Sequence, residues 1–293
     1  MKTKVIAIVG PTASGKTVLA IKLATKFSGE IVSADSRAIY RGLDIGTAKP
    51  TPAERKLVPH HLLDIVNVGE RFTVADFKKL ADKAIQNITR RGKVPFLVGG
   101  TGLYIDAVLQ NFQFPPEADP ELRYHLDQES HERLLEILQT IDAETFNIID
   151  RGNPRRVLRA VEVALSTGES FQRFRQKSPV LYQSLVLGVQ LSRKKLYERI
   201  DHRFEEWVDQ GLLDEVRWVL NETSAEWVAS LGLHYKWVAA YLTGAVSKQD
   251  TFTKSKSALH AFARRQLTWF KRNKNIHWVE SDQEAERLVK KFL

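Results

Sequence analysis

From Gly10 to Thr17 the chain reads Gly-Pro-Thr-Ala-Ser-Gly-Lys-Thr, a match to G-x-x-x-x-G-K-[ST]. Such a loop works through its backbone. Successive N–H groups of Thr12, Ala13, Ser14 and Gly15 form an anion nest, and a helix that follows adds the positive end of its dipole. Lys16 can neutralise a diphosphate oxygen, and the Thr17 hydroxyl can hold Mg²⁺. The loop predicts a bound phosphate chain without saying whose. Asp35 opens the run Asp35-Ser36-Arg37-Ala38-Ile39-Tyr40. A carboxylate in that place could be a general base, a metal ligand or a helix cap, and the residues alone leave all three open. Gly99-Gly100-Thr101-Gly102 is a second glycine loop that could offer N–H groups and a hydroxyl; a plain left-handed turn accounts for the same residues.

Arginines form a third group. Arg155, Arg156 and Arg159 follow Asn153-Pro154, and Pro154 suits a first helical turn. Arg155 and Arg159 are four apart and share a face, while Val157, Ala160, Val161 and Ala164 form another. A basic ridge backed by an apolar face suits phosphates or stacking on a base. Arg193, Arg199 and Arg203 fall on one predicted helix. His60-His61 could suggest a metal site, but neighbours in a strand point to opposite faces, so structural roles are expected. No run of four apolar residues ending in Asp follows the first glycine loop; His61-Leu62-Leu63-Asp64 is too short.

The elements that must position these groups are legible in the hydrophobic pattern. Lys4–Val9 reads as a strand, Thr17–Phe27 as a helix, Glu30–Ala34 and His61–Val66 as strands. Thr73–Thr89 has a helical apolar face with Thr73 as its N-cap, and Val94–Val98 is a buried strand running into the second glycine loop. Strands alternating with helices imply an α/β fold with a parallel sheet and right-handed crossovers. From 118 to 177 no strand is evident, and helical stretches break at Gly152-Asn153-Pro154 and Thr167-Gly168. A strand returns at Ser184–Leu191, and the remainder is helical apart from Asn275–Val279. The organisation expected is a core of 1–117 and 181–293 that carries an all-helical insertion of 118–180.

Composition narrows the classes. With 43% hydrophobic and 27% charged residues, the 293-residue chain has material for a true core, so disorder is excluded as its main state. Nothing approaches the ~18 consecutive apolar residues of a membrane span, and Val5–Val9 is too short for a signal-peptide core. Absence of cysteine removes disulfides, thiol nucleophiles and Cys-ligated zinc, and fits a cytoplasmic location. The net charge is +9. Residues 151–177 hold seven basic and two acidic side chains, and residues 251–278 hold seven basic and no acidic ones, so the two segments account for all of the excess. Charge concentrated in this way points to a polyanionic partner, nucleic acid first; solvated helix faces are the plainer explanation.

Taken together, GPTASGKT at 10–17, DSRAIY at 35–40, DIGTAKP at 44–50, VGGTGLY at 98–104, NPRRVLRAVEV at 153–163 and RRQLTWF at 264–270 resemble the tRNA dimethylallyltransferases, also called tRNA isopentenyltransferases. The motifs follow in order over nearly the whole chain. The resemblance implies a P-loop NTPase-like sheet used for prenyl transfer, with dimethylallyl diphosphate in the loop. The acceptor would be the N6 amine of the adenosine on the 3′ side of the anticodon. It implies Asp35 as general base, Thr101 near the diphosphate, and Lys16, Thr17, Arg193 and Arg199 as diphosphate and Mg²⁺ ligands. It further implies tRNA contacts by Asp35, Ser36, Arg37, Ala38, Thr101, Arg123, Arg155, Arg156, Val157, Leu158 and Arg159, with the insertion gripping the anticodon stem-loop. The family commonly has Gln where this chain has Ala38, and its IGYKE motif is only loosely matched by Leu231-Gly232-Leu233-His234-Tyr235-Lys236. A monomer with no obligate protein partner is expected. The competing readings are a P-loop small-molecule kinase, which would leave both basic segments without a task, and a non-catalytic RNA-binding module.

Overall fold

The computed structural model describes residues 2–116, 119–175 and 178–293. The chain divides into two compact units, residues 1–109 with 181–293, and residues 110–180. The boundary expected at 117/118 lies outside the described residues. The first half of the larger unit runs β1 (Thr3–Val9), α1 (Lys16–Lys26), β2 (Gly29–Ser33), α2 (Pro52–Leu57), β3 (His60–His61), α3 (Val74–Arg90), β4 (Val94–Gly99) and α4 (Gly102–Leu109). The smaller unit holds α5 (Pro120–Asp127), α6 (His131–Ile141), α7 (Ala143–Ile148) and α8 (Pro154–Thr167). The larger unit resumes with β5 (Tyr182–Val189), α9 (Arg193–Asp209), α10 (Leu212–Glu222), α11 (Ala225–Leu231), α12 (Leu233–Leu242), α13 (Lys248–Lys271), β6 (Ile276–Val279) and α14 (Asp282–Phe292).

The six strands form one parallel sheet in the order β3-β2-β4-β1-β5-β6. Both faces are covered, which is why β1 is a continuous apolar run with Val5 to Val9 wholly buried. Leu19, Leu23 and Ala24 of α1 and Val289 of α14 pack on one face; Phe77, Ile85 and Ile88 of α3 and Ile105 of α4 pack on the other. Thr73 caps α3 as expected, in a reciprocal capping box with Asp76. A separate core under α9 to α13 joins Phe204, Trp207, Val216 and Tyr235.

One expected strand fails. The stretch His61–Val66 is interrupted: it joins the sheet at His60–His61, breaks where Leu62 and Asp64 adopt left-handed backbone, φ 62° and 56°, and pairs again only as a single parallel bridge from Val66 to Tyr40. The Asp64 carboxylate is turned toward Lys49 and Arg55, and these ion pairs outweigh the β propensity of the run. In the smaller unit Leu134, Leu138, Val157, Leu158 and Val161 form its own core. Among the described residues no helix is long and apolar enough to cross a membrane.

Candidate active site

The order of strands decides which loops meet. β2, β4 and β1 are neighbours, so the residues after each emerge side by side at the carboxyl edge. After β1 the chain turns through Ala13 (φ 61°) and Gly15 (φ 97°) into α1. A side chain at Gly15 would be strained, which explains the glycine at this N-cap. After β4, Gly99 lets two strand ends touch: a Cβ there would lie 2.0 Å from the Ala34 carbonyl oxygen. Asp35 and Thr101 are thereby drawn together. The Thr101 hydroxyl accepts the Ser36 N–H at 3.2 Å, and the Thr101 N–H donates to Ala34 at 3.3 Å.

The two oxygens of Asp35 have different surroundings. Its Oδ1 accepts the N–H groups of Arg37 (2.9 Å) and Ala38 (3.2 Å), which fixes the turn. Its Oδ2 takes no hydrogen bond from the described residues, and the half-buried carboxylate lines the cleft beside Lys16 and Thr17. Lys16 lies opposite, its ammonium donating to the Pro11 carbonyl at 3.3 Å. Burial pushes its pKa down to about 8, against the raising effect of Asp35, and Arg203 adds repulsion. The Ser14 hydroxyl is buried without a partner among the described residues.

A pH dependence follows. In the free protein the Lys16 charge is lost as pH rises through about 8. Affinity for inorganic diphosphate should then fall by up to about tenfold per unit above that point. Calorimetric titration at about pH 7 and about pH 9 reads this directly; a flat profile would mean that Lys16 does not carry the contact.

The arginines of α9 separate. Arg203 lines the cleft, half-buried with its pKa lowered by burial, and Arg199 reaches to 3.8 Å from the place of a Gly15 Cβ. Arg193, expected as a diphosphate ligand, is not brought there. It sits in the first turn of α9, roughly 15 Å along the axis from Arg203, with its guanidinium over the Tyr197 ring. Arg203, read in the sequence as the i+4 neighbour of Arg199 but not as a diphosphate ligand, is the arginine of α9 that lines the cleft. Gln266 of α13 was missed. Its Oε1 accepts the Thr12 N–H at 2.8 Å and its Nε2 donates to the Gly100 carbonyl at 2.9 Å, so one side chain spans both glycine loops.

The loop 44–49 closes another wall. Glu215 of α10 accepts the N–H groups of Asp44 and Ile45, both at 2.7 Å, and of Gly46 at 3.1 Å, and the Tyr235 hydroxyl at 2.8 Å. Lys49 is buried between Asp44 and Asp64. Asp64 is consequently occupied, in keeping with the lack of a metal-positioning Asp in the sequence. His61 pairs with Glu30 at 2.7 Å, and His60 Nδ1 lies 2.8 Å from the Val58 carbonyl. Among the described residues no cluster of three or more His, Cys, Asp or Glu could cage a metal. With the Thr17 hydroxyl as donor, this set fits a divalent cation that would take most of its oxygens from phosphate.

Several residues expected to face nucleic acid are committed elsewhere. The Arg37 guanidinium donates to the Leu231 carbonyl at 2.8 Å and lies over Phe262. Ala38 is 4% exposed and offers a methyl group only. Val157 and Leu158, expected at the RNA surface, are core residues of the smaller unit because they fall on the apolar face of α8. Arg123 and Arg159 both hold the buried Glu162, at 3.4 Å and 2.5 Å. Arg155 and Arg156 are exposed and make no ion pair among the described residues. Lys177, counted in the first basic segment, lies outside them.

Comparison with known proteins places this geometry in context. A family model described as IPP transferase matches residues 38–273. A tRNA dimethylallyltransferase of Roseiflexus is 44% identical, covering 98% of each chain. One of Pediococcus pentosaceus is 39% identical, covering 99% of this chain and 96% of its own. The crystal structure of a tRNA isopentenylpyrophosphate transferase from Bacillus halodurans superposes with a TM-score of 0.76 at 36% identity, over 99% of this chain and 97% of that one. A eukaryotic dimethylallyltransferase described as acting on tRNA superposes with a TM-score of 0.87 at 25% identity, over 99% and 79%.

Proposed function

This chain belongs to the IPP transferase family, the tRNA dimethylallyltransferases, and from that premise we propose how its residues divide the work. The reaction moves a dimethylallyl group from dimethylallyl diphosphate to the N6 amine of the adenosine 3′-adjacent to the anticodon of a tRNA, and releases diphosphate. The observation that carries the assignment is the free edge of Asp35 facing Lys16 and Thr17 across one cleft. A kinase reading of the phosphate loop gives way to this one.

Breaking the C1–O bond of an allylic diphosphate leaves a delocalised allylic cation, or a loose transition state close to one. The main catalytic task is to stabilise the charge that leaves. Lys16, the N–H groups of Ala13 and Gly15 and Arg203 are the donors aimed at it, with Arg199 at the rim, while the Thr12 N–H is held by Gln266 and the Ser14 N–H by the Pro11 carbonyl. Thr17 would hold Mg²⁺, which when bound would supply charge neutralisation at diphosphate oxygens. The adenine N6 lone pair is delocalised into the ring and attacks only a strong electrophile. Once bonded to carbon the amine is acidic, and Asp35 Oδ2 takes the proton. Thr101 keeps Asp35 in register through Ser36.

The nucleic-acid contacts are assigned to the exposed basic side chains, Arg155 and Arg156 first. Raising salt from roughly 50 to 200 mM should weaken tRNA binding tenfold or more, by counterion release. Arg155→Ala should lower tRNA affinity at unchanged melting temperature. Arg159→Ala should lower the melting temperature, because it leaves Glu162 buried with Arg123 alone. Equal behaviour of the two variants in both measurements would reverse this division.

The direct test uses an unmodified anticodon stem-loop, Mg²⁺ and labelled dimethylallyl diphosphate, with ATP in a parallel reaction. Label on the adenosine beside the anticodon, with ATP inert, is expected. ATP turnover on a small acceptor without prenyl transfer would overturn the assignment.

A further inference from the structure

His234 is the second residue of α12, and it lines the same cleft as Lys16, Asp35 and Phe262. It is 1% exposed, enclosed by Trp207 with ring centroids 4.9 Å apart and by its neighbour Tyr235 at 4.5 Å. The Nε2 edge faces the Gly46 backbone, where a Cβ would come within 2.6 Å of it. Nδ1 has no hydrogen-bond partner among the described residues. Burial, reinforced by the Arg37 charge, depresses its pKa to about 3, so the ring is neutral at any working pH. A buried ring nitrogen without a partner is costly and uncommon in a folded protein. None of the steps assigned above uses it.

Three chemically distinct pieces of substrate must meet in this cleft if the transferase assignment holds, and the inference rests on that assignment. The diphosphate seeks cations and N–H groups, and a neutral imidazole offers no charge. The dimethylallyl group has no polar atom. Only the purine presents neutral donors and acceptors at its edge, the groups that a neutral imidazole complements. We propose that His234 is a base-binding residue, whose unpartnered ring nitrogen hydrogen-bonds the edge of the adenine that accepts the prenyl group. The docked loop 44–46 supports it from behind: Gly46 backs the ring, and Glu215 fixes Gly46.

Two stem-loop RNAs separate this role from a structural one, the first with adenosine and the second with an abasic site at the acceptor position. Both are titrated without prenyl donor against wild type and His234→Phe, which keeps a ring of similar size. Wild type should bind the adenosine RNA about tenfold more tightly than the variant does, the scale of one buried polar group left unpaired. The two proteins should bind the abasic RNA equally. His234→Asn, which restores a polar group near Nδ1, should recover part of the loss and serves in its place if the Phe variant does not fold. Affinity for dimethylallyl diphosphate should be unchanged throughout. An equal loss with both RNAs, no loss, or a loss seen with dimethylallyl diphosphate would overturn the proposal. Failure of the transferase assignment would be seen separately, as wild type that labels no adenosine.

Discussion

Asp35→Asn should lower prenyl transfer by about 10²-fold or more, the usual scale for a positioned base, with tRNA affinity nearly unchanged. The substitution is chosen for what it preserves. The amide oxygen can still accept the N–H groups of Arg37 and Ala38, so the turn that starts the 35–40 segment survives. What it loses is the capacity of Oδ2 to hold a proton. Asp35→Ala removes both functions and should add a loss of stability. Single-turnover transfer, read with RNA affinity and melting temperature, distinguishes the cases. Turnover within a few-fold of wild type in Asp35→Asn would leave Asp35 as a turn-fixing residue only.

Lys16→Ala should lower kcat/KM for the prenyl donor by about 10²- to 10³-fold, the range seen when one preorganised charge-stabilising donor is removed. The fold should not suffer. Among the described residues the ammonium has no carboxylate in ion-pair contact and donates only to the Pro11 carbonyl, while burial already works against its charge. Its melting temperature should equal or exceed that of wild type in the absence of ligand. A large destabilisation would show that Lys16 holds the loop rather than the substrate. Arg203→Ala should have a smaller effect, because Arg199 lies on the same side of α9 and can cover part of the lost charge.

How far these residues were legible depends on how locally their positions are determined. The loop 10–17 could be read because strand, turn and helix follow one another within a few residues. Asp35 and Thr101 were legible as strand-end residues, yet only the order β2-β4-β1 makes them neighbours. The choice among Arg193, Arg199 and Arg203 needed the docking of α9 against the loop, which periodicity alone does not provide. Val157 and Leu158 entered as part of a motif, although their place on the apolar face of α8 already marked them as core. Gln266 and His234 carry no spacing signal: a single Gln or His acquires meaning only once α12 and α13 are packed. The break after His61 was hidden because the ion pair of the buried Lys49 with Asp64, not local propensity, sets the backbone there.

The bridge made by Gln266 has a mechanical consequence. One side chain grips the first glycine loop at Thr12 and the second at Gly100, beside Asp35, so neither can swing without the other. The two loops form a calliper locked at one opening. Any opening of the cleft at this point must therefore carry Thr12 and Gly100 together.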